Sequence, residues 1–250
     1  MLSTKTKNNN KNNDNSINND IKMSIFEHLE ELRTRIIKSF LCFTITTCLS
    51  FIYIKDISYL LKQPAIGIKF LQLSPGEYFF TSIKVAMYTG LITSSPFIIY
   101  QITLFILPGL TVRETKLILP ILITSILLFF IGILFSYSTL TPAALNFFIN
   151  YGSDIVEPVW SFEQYFDFIL TLLLSTGIAF QVPVIQIVVG IFEIISSTQM
   201  ISAWKYIVLI CTIIGAILTP STDPFTQIIL SFAILSLYFI ATCILMILKK

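Results

Sequence analysis

Charge is what this sequence has least of. Asp, Glu, Lys and Arg make up 12% of its 250 residues, histidine occurs once, as His28, and the net charge is +2. With 55% apolar residues and a mean hydropathy of +0.83, the chain is too apolar for a soluble domain of its size. The near-neutral balance supplies no basic field for a nucleic-acid partner. Cys42, Cys48, Cys211 and Cys243 sit inside apolar runs, with no CxxC or Cys/His cluster. That excludes a disulfide framework and a metal site and predicts buried free thiols. No GxxxxGK[ST] phosphate loop occurs. Nor is there a Ser/His/Asp set, an HExxH or a carboxylate pair in one plane, so neither an enzyme nor a cofactor is expected.

The first 22 residues have almost no apolar content. They hold eight Asn together with Lys5, Lys7, Lys11 and Lys22 and have no apolar core of the kind a secretory signal needs. They read as a disordered polar tail ahead of one domain over 23–250.

What the chain does have is apolar runs long enough to cross a hydrocarbon core of about 30 Å. The first covers 36–54 and is followed by an aqueous loop, 55–73, with the breakers Pro64 and Gly67. Ser74, Pro75 and Glu77 make a capping box that opens a second helix over 78–107. Pro96 should kink it, with Thr93, Ser94 and Ser95 satisfying the freed groups. Pro108 and Gly109 end that helix, and a box of Thr111 and Glu114 opens the third, 112–137. A polar and aromatic stretch, 138–164, precedes a fourth helix over 165–194, which is longer than a span needs and should tilt or kink at Pro183. The fifth, 203–218, is short enough to predict bilayer thinning or incomplete spanning, and the sixth covers 225–248. The expected fold is an all-α integral membrane protein with six transmembrane helices. Twelve of the 16 basic residues fall on the side of the two termini, which the positive-inside rule makes cytoplasmic or stromal. Lys55, Lys62, Lys69 and Lys84 fall on the other side, so the first external loop is more basic than the rule favours.

Charge collects beside the membrane at 24–38. As a helix capped by Ser24 and Glu27, this stretch has Ile25, Phe26, Leu29, Leu32 and Ile36 on one stripe and Glu27, Glu31, Thr34, Arg35 and Lys38 opposite. Glu31 would lie on the open polar face, where an i,i+4 pair with Arg35 is its plain role. Arg33 falls at the edge of the apolar stripe and should snorkel or fix the helix through an acidic neighbour.

Five stretches, HLEELRTRI at 28–36, SPGEYFFTSIKV at 74–85, SPFIIYQITLFILPGLTVRE at 95–114, FQVPVIQ at 180–186 and LTPSTDP at 218–224, resemble the TatC family, the multispanning subunit of the twin-arginine protein translocase. They occur in that family's order and look most like its cyanobacterial and plastid branch. The resemblance implies binding of twin-arginine signal peptides of folded precursor proteins, recruitment of TatA/TatB-type single-span membrane subunits, a homo-oligomer within the complex, and transport driven by the proton-motive force. It implies a plastid thylakoid membrane, with a bacterial plasma membrane or mitochondrial inner membrane as alternatives.

Carried over residue by residue, the resemblance places signal-peptide binding at Glu31, Arg33, Glu114 and Lys116, and partner-subunit or translocation roles at Pro64, Phe105, Gln181 and Asp223. Paired carboxylates suit the purpose, because each can take a guanidinium in a two-pronged bond that lysine cannot reproduce. Simpler readings stand beside these. Glu114 can be a capping residue, Lys116 a positive-inside charge, Pro64 and Phe105 kink and core residues, and Asp223 a turn cap. His28 reads as a helix-face residue. Many bacterial relatives carry Glu where Gln181 stands; the amide keeps hydrogen bonding without charge, which favours a polar latch for a partner's helix over a proton relay. A small-solute or ion transporter is the competing class. Six kinked spans permit it, but the sequence shows no internal repeat and no paired ionisable site at the midplane.

Overall fold

The computed structural model describes residues 25–65, 68–106, 115–151, 159–192, 194–219 and 223–247. The Asn-rich tail, Ser24, and the box of Thr111 and Glu114 lie outside the described residues. Six helical passages are present. The first is α1 (Ile25–Ile52), in which the charged amphipathic opening and the first span are one helix. The second is α3 (Glu77–Ile106); the third is α4 (Thr115–Phe135), which continues through a π-turn, Ser136–Leu140, into α5 (Thr141–Asn150). The fourth is split into α6 (Phe162–Ala179) and α7 (Val182–Ile191). A short helix, α8 (Ser197–Ser202), capped by a box of Ser196 and Gln199, leads into α9 (Trp204–Leu218) and α10 (Pro224–Ile247). Four of these passages, all but α3 and α9, are both long and apolar enough to cross a membrane. α3 matches them in length, and its polar side chains Thr81, Ser82, Ser94, Ser95 and Gln101 are buried against neighbours.

Local chemistry explains how α3 runs through Pro96 as one helix and why the fourth passage breaks. Pro96 cannot bond the Ile92 carbonyl, and the Ser95 hydroxyl donates to that carbonyl at 2.7 Å. Pro183 stands in the first turn of α7, where it needs no donor, so the fourth passage breaks just before it at Phe180 and Gln181. α1 lies along α3 at close range. The Thr46 hydroxyl donates to the Gly90 carbonyl at 2.9 Å, and a Cβ on Gly90 would stand 2.7 Å from the Thr47 Cα. The opposite face of α1 is exposed, with Phe40, Leu41, Ile45, Leu49 and Ile52 turned outward. The four thiols are free, but only Cys211 is buried; Cys48 and Cys243 are exposed on outward helix faces, because apolar runs in a membrane have lipid on one side.

The outer end is more ordered than the sequence predicts. The first external loop holds an amphipathic helix, α2 (Ile54–Lys62), a 3₁₀ turn at Gln63–Ala65, and β1 (Lys69–Leu71). β1 pairs in parallel with β2 (Val159–Ser161), with Phe70 opposite Trp160. Leu61, Ala65, Val85, Leu145, Tyr165, Phe166 and Ile169 form the core beneath them. Glu77 ties the two loops. Its carboxylate accepts from the Leu73 amide, the Ser74 amide at 3.1 Å, the Glu163 amide at 2.9 Å and the Ser161 hydroxyl at 3.0 Å. At loop level outside the apolar span, these donors, the Glu163 amide foremost, hold its carboxyl below the usual carboxylate range.

Candidate functional site

The cytoplasmic end of α1 meets the end of α3. His28, Glu31 and Arg35 recur at helical spacing, so they share a face, and that face is half-buried against α3. The expected arrangement is reversed only in part, since Leu32 of the apolar stripe is half-buried and Glu27, Thr34 and Lys38 stay exposed. Phe26 is 81% exposed and Leu29 55%, while Glu31 and Arg35 each keep 19% of their side-chain surface. The reason is the partner: α3 presents Gln101 and Phe105 at this level, and the apolar stripe is left to the membrane interface.

Arg35 Nε donates to Glu31 Oε1 at 2.9 Å, and its Nη2 donates to the same oxygen. Its Nη1 reaches Gln101 Oε1 at 3.3 Å. Gln101 is 6% exposed, so the pair is fastened to a buried amide on the neighbouring helix. His28 stacks on Phe105, with ring centroids 4.3 Å apart and planes 15° apart. Its Nδ1 stands 3.8 Å from Glu31 Oε2, too far for a hydrogen bond. Glu31 Oε2 is therefore shielded from solvent and has no hydrogen-bond partner among the described residues. Beside it runs a cleft of about 360 Å³ lined by Glu27, Glu30, Glu31, Thr34, Arg35 and Lys38. Among the described residues three carboxylates and two cations line it, and Arg35 and Gln101 hold the Glu31 carboxylate in its wall. Such a surface suits an incoming guanidinium.

Arg33 is exposed, and among the described residues it forms no ion pair. Its angle put it beside the apolar stripe, and since that stripe faces outward, so does Arg33. The residue that orients Glu31 is Arg35, with Gln101 behind it. Lys116 lies in the first turn of α4, and Glu114 is outside the described residues.

The other four candidates do not converge. Pro64 follows α2 in the 3₁₀ turn and brings no N–H to the Leu60 carbonyl, which accepts instead from the Gln63 N–H and from the Tyr137 hydroxyl at 2.8 Å. Phe105 packs on His28. Asp223 is 2% exposed and caps α10, accepting from the Thr226 amide at 2.8 Å and from the Thr226 hydroxyl. Gln181 is the residue that precedes α7 and binds α4 twice: Ser125 Oγ donates to its Oε1, and its Nε2 donates to the Ser125 carbonyl at 3.1 Å. It sits at the edge of an apolar groove of about 390 Å³, walled by Ile99, Ile102, Ile118, Val184 and Val188.

Sequence reading missed Gln101 and a second charged cluster. Lys84 Nζ lies 2.7 Å from Glu163 Oε1 and 2.8 Å from Asp167 Oδ2, joining α3 to the start of α6. Its signal was present: a lone lysine in one apolar helix, and two acids four residues apart in another.

The chain as a whole is similar to known proteins. A family model described as Sec-independent protein translocase protein (TatC) matches residues 27–232. The tatC-like protein ycf43 of Gracilaria tenuistipitata var. liui is 66% identical over 94% of this chain and 99% of its own length. The chloroplastic Sec-independent protein translocase protein TATC of Oryza sativa subsp. japonica is 52% identical over 88% of this chain and 62% of its own length. A crystal structure of the twin-arginine translocase receptor TatC superposes with a TM-score of 0.78 at 34% identity, over 90% of this chain and all of that one.

Proposed function

The chain belongs to the TatC family, and from that premise we propose that it is the receptor subunit of a twin-arginine translocase, binding the signal peptides of folded precursor proteins. It is an integral protein of a plastid or thylakoid membrane and not an enzyme. Energy for transport comes from the proton-motive force, and the subunit's own task is recognition.

One observation carries the site assignment. Glu31 offers an oriented, water-shielded carboxylate oxygen with no described partner, at the rim of an acidic cleft. An arginine of the signal peptide enters the cleft and reaches that oxygen once the side chains covering it move aside, with Arg35 and Gln101 holding the carboxylate in place. Glu114 supplies the second acid, and Arg33 and Lys116 flank the peptide. Crosslinking of a twin-arginine precursor to membranes containing the chain tests this. Glu31→Ala with Glu114→Ala should abolish the crosslink, and undiminished crosslinking by the double variant refutes the site.

Single-span subunits of the TatA/TatB type pack on the apolar groove beside Gln181, and copies of the chain assemble within the complex. Gln181 spends one N–H and one lone pair on Ser125, which leaves one of each for a partner's polar side chain. Pro64, Phe105 and Asp223 act by shaping the chain around these surfaces. Gln181→Leu should lower crosslinking to the partner subunit; unchanged crosslinking and transport exclude the latch.

A further inference from the structure

The basic first external loop is left unexplained by signal-peptide recognition, and its cations are organised. Lys55, Tyr59 and Lys62 stand at i, i+4 and i+7 along α2, so they share one stripe, with the lysines about 10 Å apart along the axis. All three are exposed, Tyr59 by 71%. Ile54, Ile57 and Leu61 occupy the opposite face and pack on the outer core.

The stripe cannot roll. Tyr137 and Tyr165 donate to the successive carbonyls of Leu60 and Leu61, at 2.8 and 2.7 Å. Lys62 Nζ lies 5.3 Å from the Phe70 ring centroid, and the exposed Lys69 precedes Phe70 on β1. Two ammonium groups are thus held on one face of α2, and a third, Lys69, is exposed on the strand whose next residue Lys62 approaches.

Their setting identifies what they face. The outward side of α1, with Leu49 and Ile52 exposed, runs directly into Tyr53, 60% exposed, and then into α2. An apolar face that ends in tyrosines and then lysines marks the passage from acyl chains to headgroups. Among the described residues no carboxylate forms an ion pair with Lys55, Lys62 or Lys69, whereas the fourth outer cation, Lys84, is paired twice. These charges also run against the usual bias of lysine toward the opposite side.

We propose that the α2 stripe with Lys69 is a docking surface for anionic phospholipid headgroups of the outer leaflet. The ammonium groups take the phosphates as point charges. Tyr59 sits between them at the interface, and fixing this surface to lipid anchors the outer cap against the bilayer.

Thermal unfolding of the full chain in neutral detergent, with added phosphatidylglycerol or the same fraction of phosphatidylcholine, tests this. Phosphatidylglycerol should raise Tm more, with the difference shrinking at high salt. Lys55→Gln, Lys62→Gln and Lys69→Gln together should remove the difference, Arg at the same positions should keep it, and Lys205→Gln on the opposite side should leave it intact. A difference that survives the Gln set, or is lost equally with the Arg set, overturns the proposal. So does equal stabilisation by inorganic phosphate, which would make the ligand a soluble anion. Should the Gln set not fold, native mass spectrometry of the unmodified chain and the Arg set reads the same preference: both should retain phosphatidylglycerol over phosphatidylcholine, and equal retention overturns the assignment.

Discussion

At the scale of single residues, recognition and stability can be separated by magnitude. An i,i+4 ion pair contributes about 0.3–0.5 kcal/mol when exposed, and Glu31 with Arg35 is only partly sheltered. Glu31→Gln keeps the shape and should change Tm little, yet lower precursor crosslinking about tenfold or more, which corresponds to about 1.4 kcal/mol of binding. A matching fall in Tm and crosslinking would assign the residue to structure. Glu77 gives a pH prediction. Its folded carboxyl titrates below the unperturbed value of about 4.3, so its contribution is complete above that value and is lost as pH falls through the folded one. Wild type should therefore lose stability on acidification, while Glu77→Gln should be less stable at neutral pH and show a flatter acid limb in thermal unfolding. Lys84→Gln would leave Glu163 and Asp167 side by side without a cation, so it should cost more stability than Asp167→Asn, which leaves one pair intact.

Among elements, the contact of α1 with α3 decides whether the site exists. Gly90 lies far along α3 from Gln101, but its missing side chain lets the helices approach. A Cβ there would meet the backbone N of Thr47 at 2.8 Å as well as its Cα at 2.7 Å. Gly90→Ala should therefore cost on the order of 1–3 kcal/mol in thermal unfolding and weaken precursor crosslinking, and Thr47→Ala should not rescue either, since the clash is with backbone. Rescue would show the approach is not backbone-limited. What the sequence made legible follows from strong local chemistry: the break before Pro183, the Ser95 hydroxyl placed to serve the Ile92 carbonyl that Pro96 frees, and the glutamate of the box before α3. α2 and α5 were hidden because their periodicity is short and broken by polar residues. The orientation of α1 was hidden for another reason. Amphipathicity separates two faces, but at a membrane interface the apolar one need not be the packed one, and only the neighbouring Gln101 and Phe105 decide it. For the same reason the Glu31 pairing was readable from spacing, while its anchoring partner, far away in sequence, was not.

For the whole molecule, the passages disagree about membrane thickness. α10 has 24 residues and α1 has 28, whereas α9 has 15, about 22 Å at 1.5 Å per residue. Against a hydrocarbon core of about 30 Å the deficit is about 8 Å, and at fractions of a kcal/mol per Å it costs on the order of a few kcal/mol. α9 cannot hide that mismatch inside the bundle, because Tyr206, Leu209, Ile213 and Ile217 are exposed along it. Either the bilayer thins on that side or α9 spans it incompletely, the two outcomes that the length of the fifth apolar run predicts. Reconstituted in bilayers of graded acyl length, the chain should be most stable in the thinner ones. Inserting one apolar turn between Ile213 and Ile214 should shift the optimum toward thicker bilayers, because the inserted turn adds about 6 Å to the one passage that falls short. An optimum that does not move with the insertion would mean that α9 sits in the membrane without setting its local thickness.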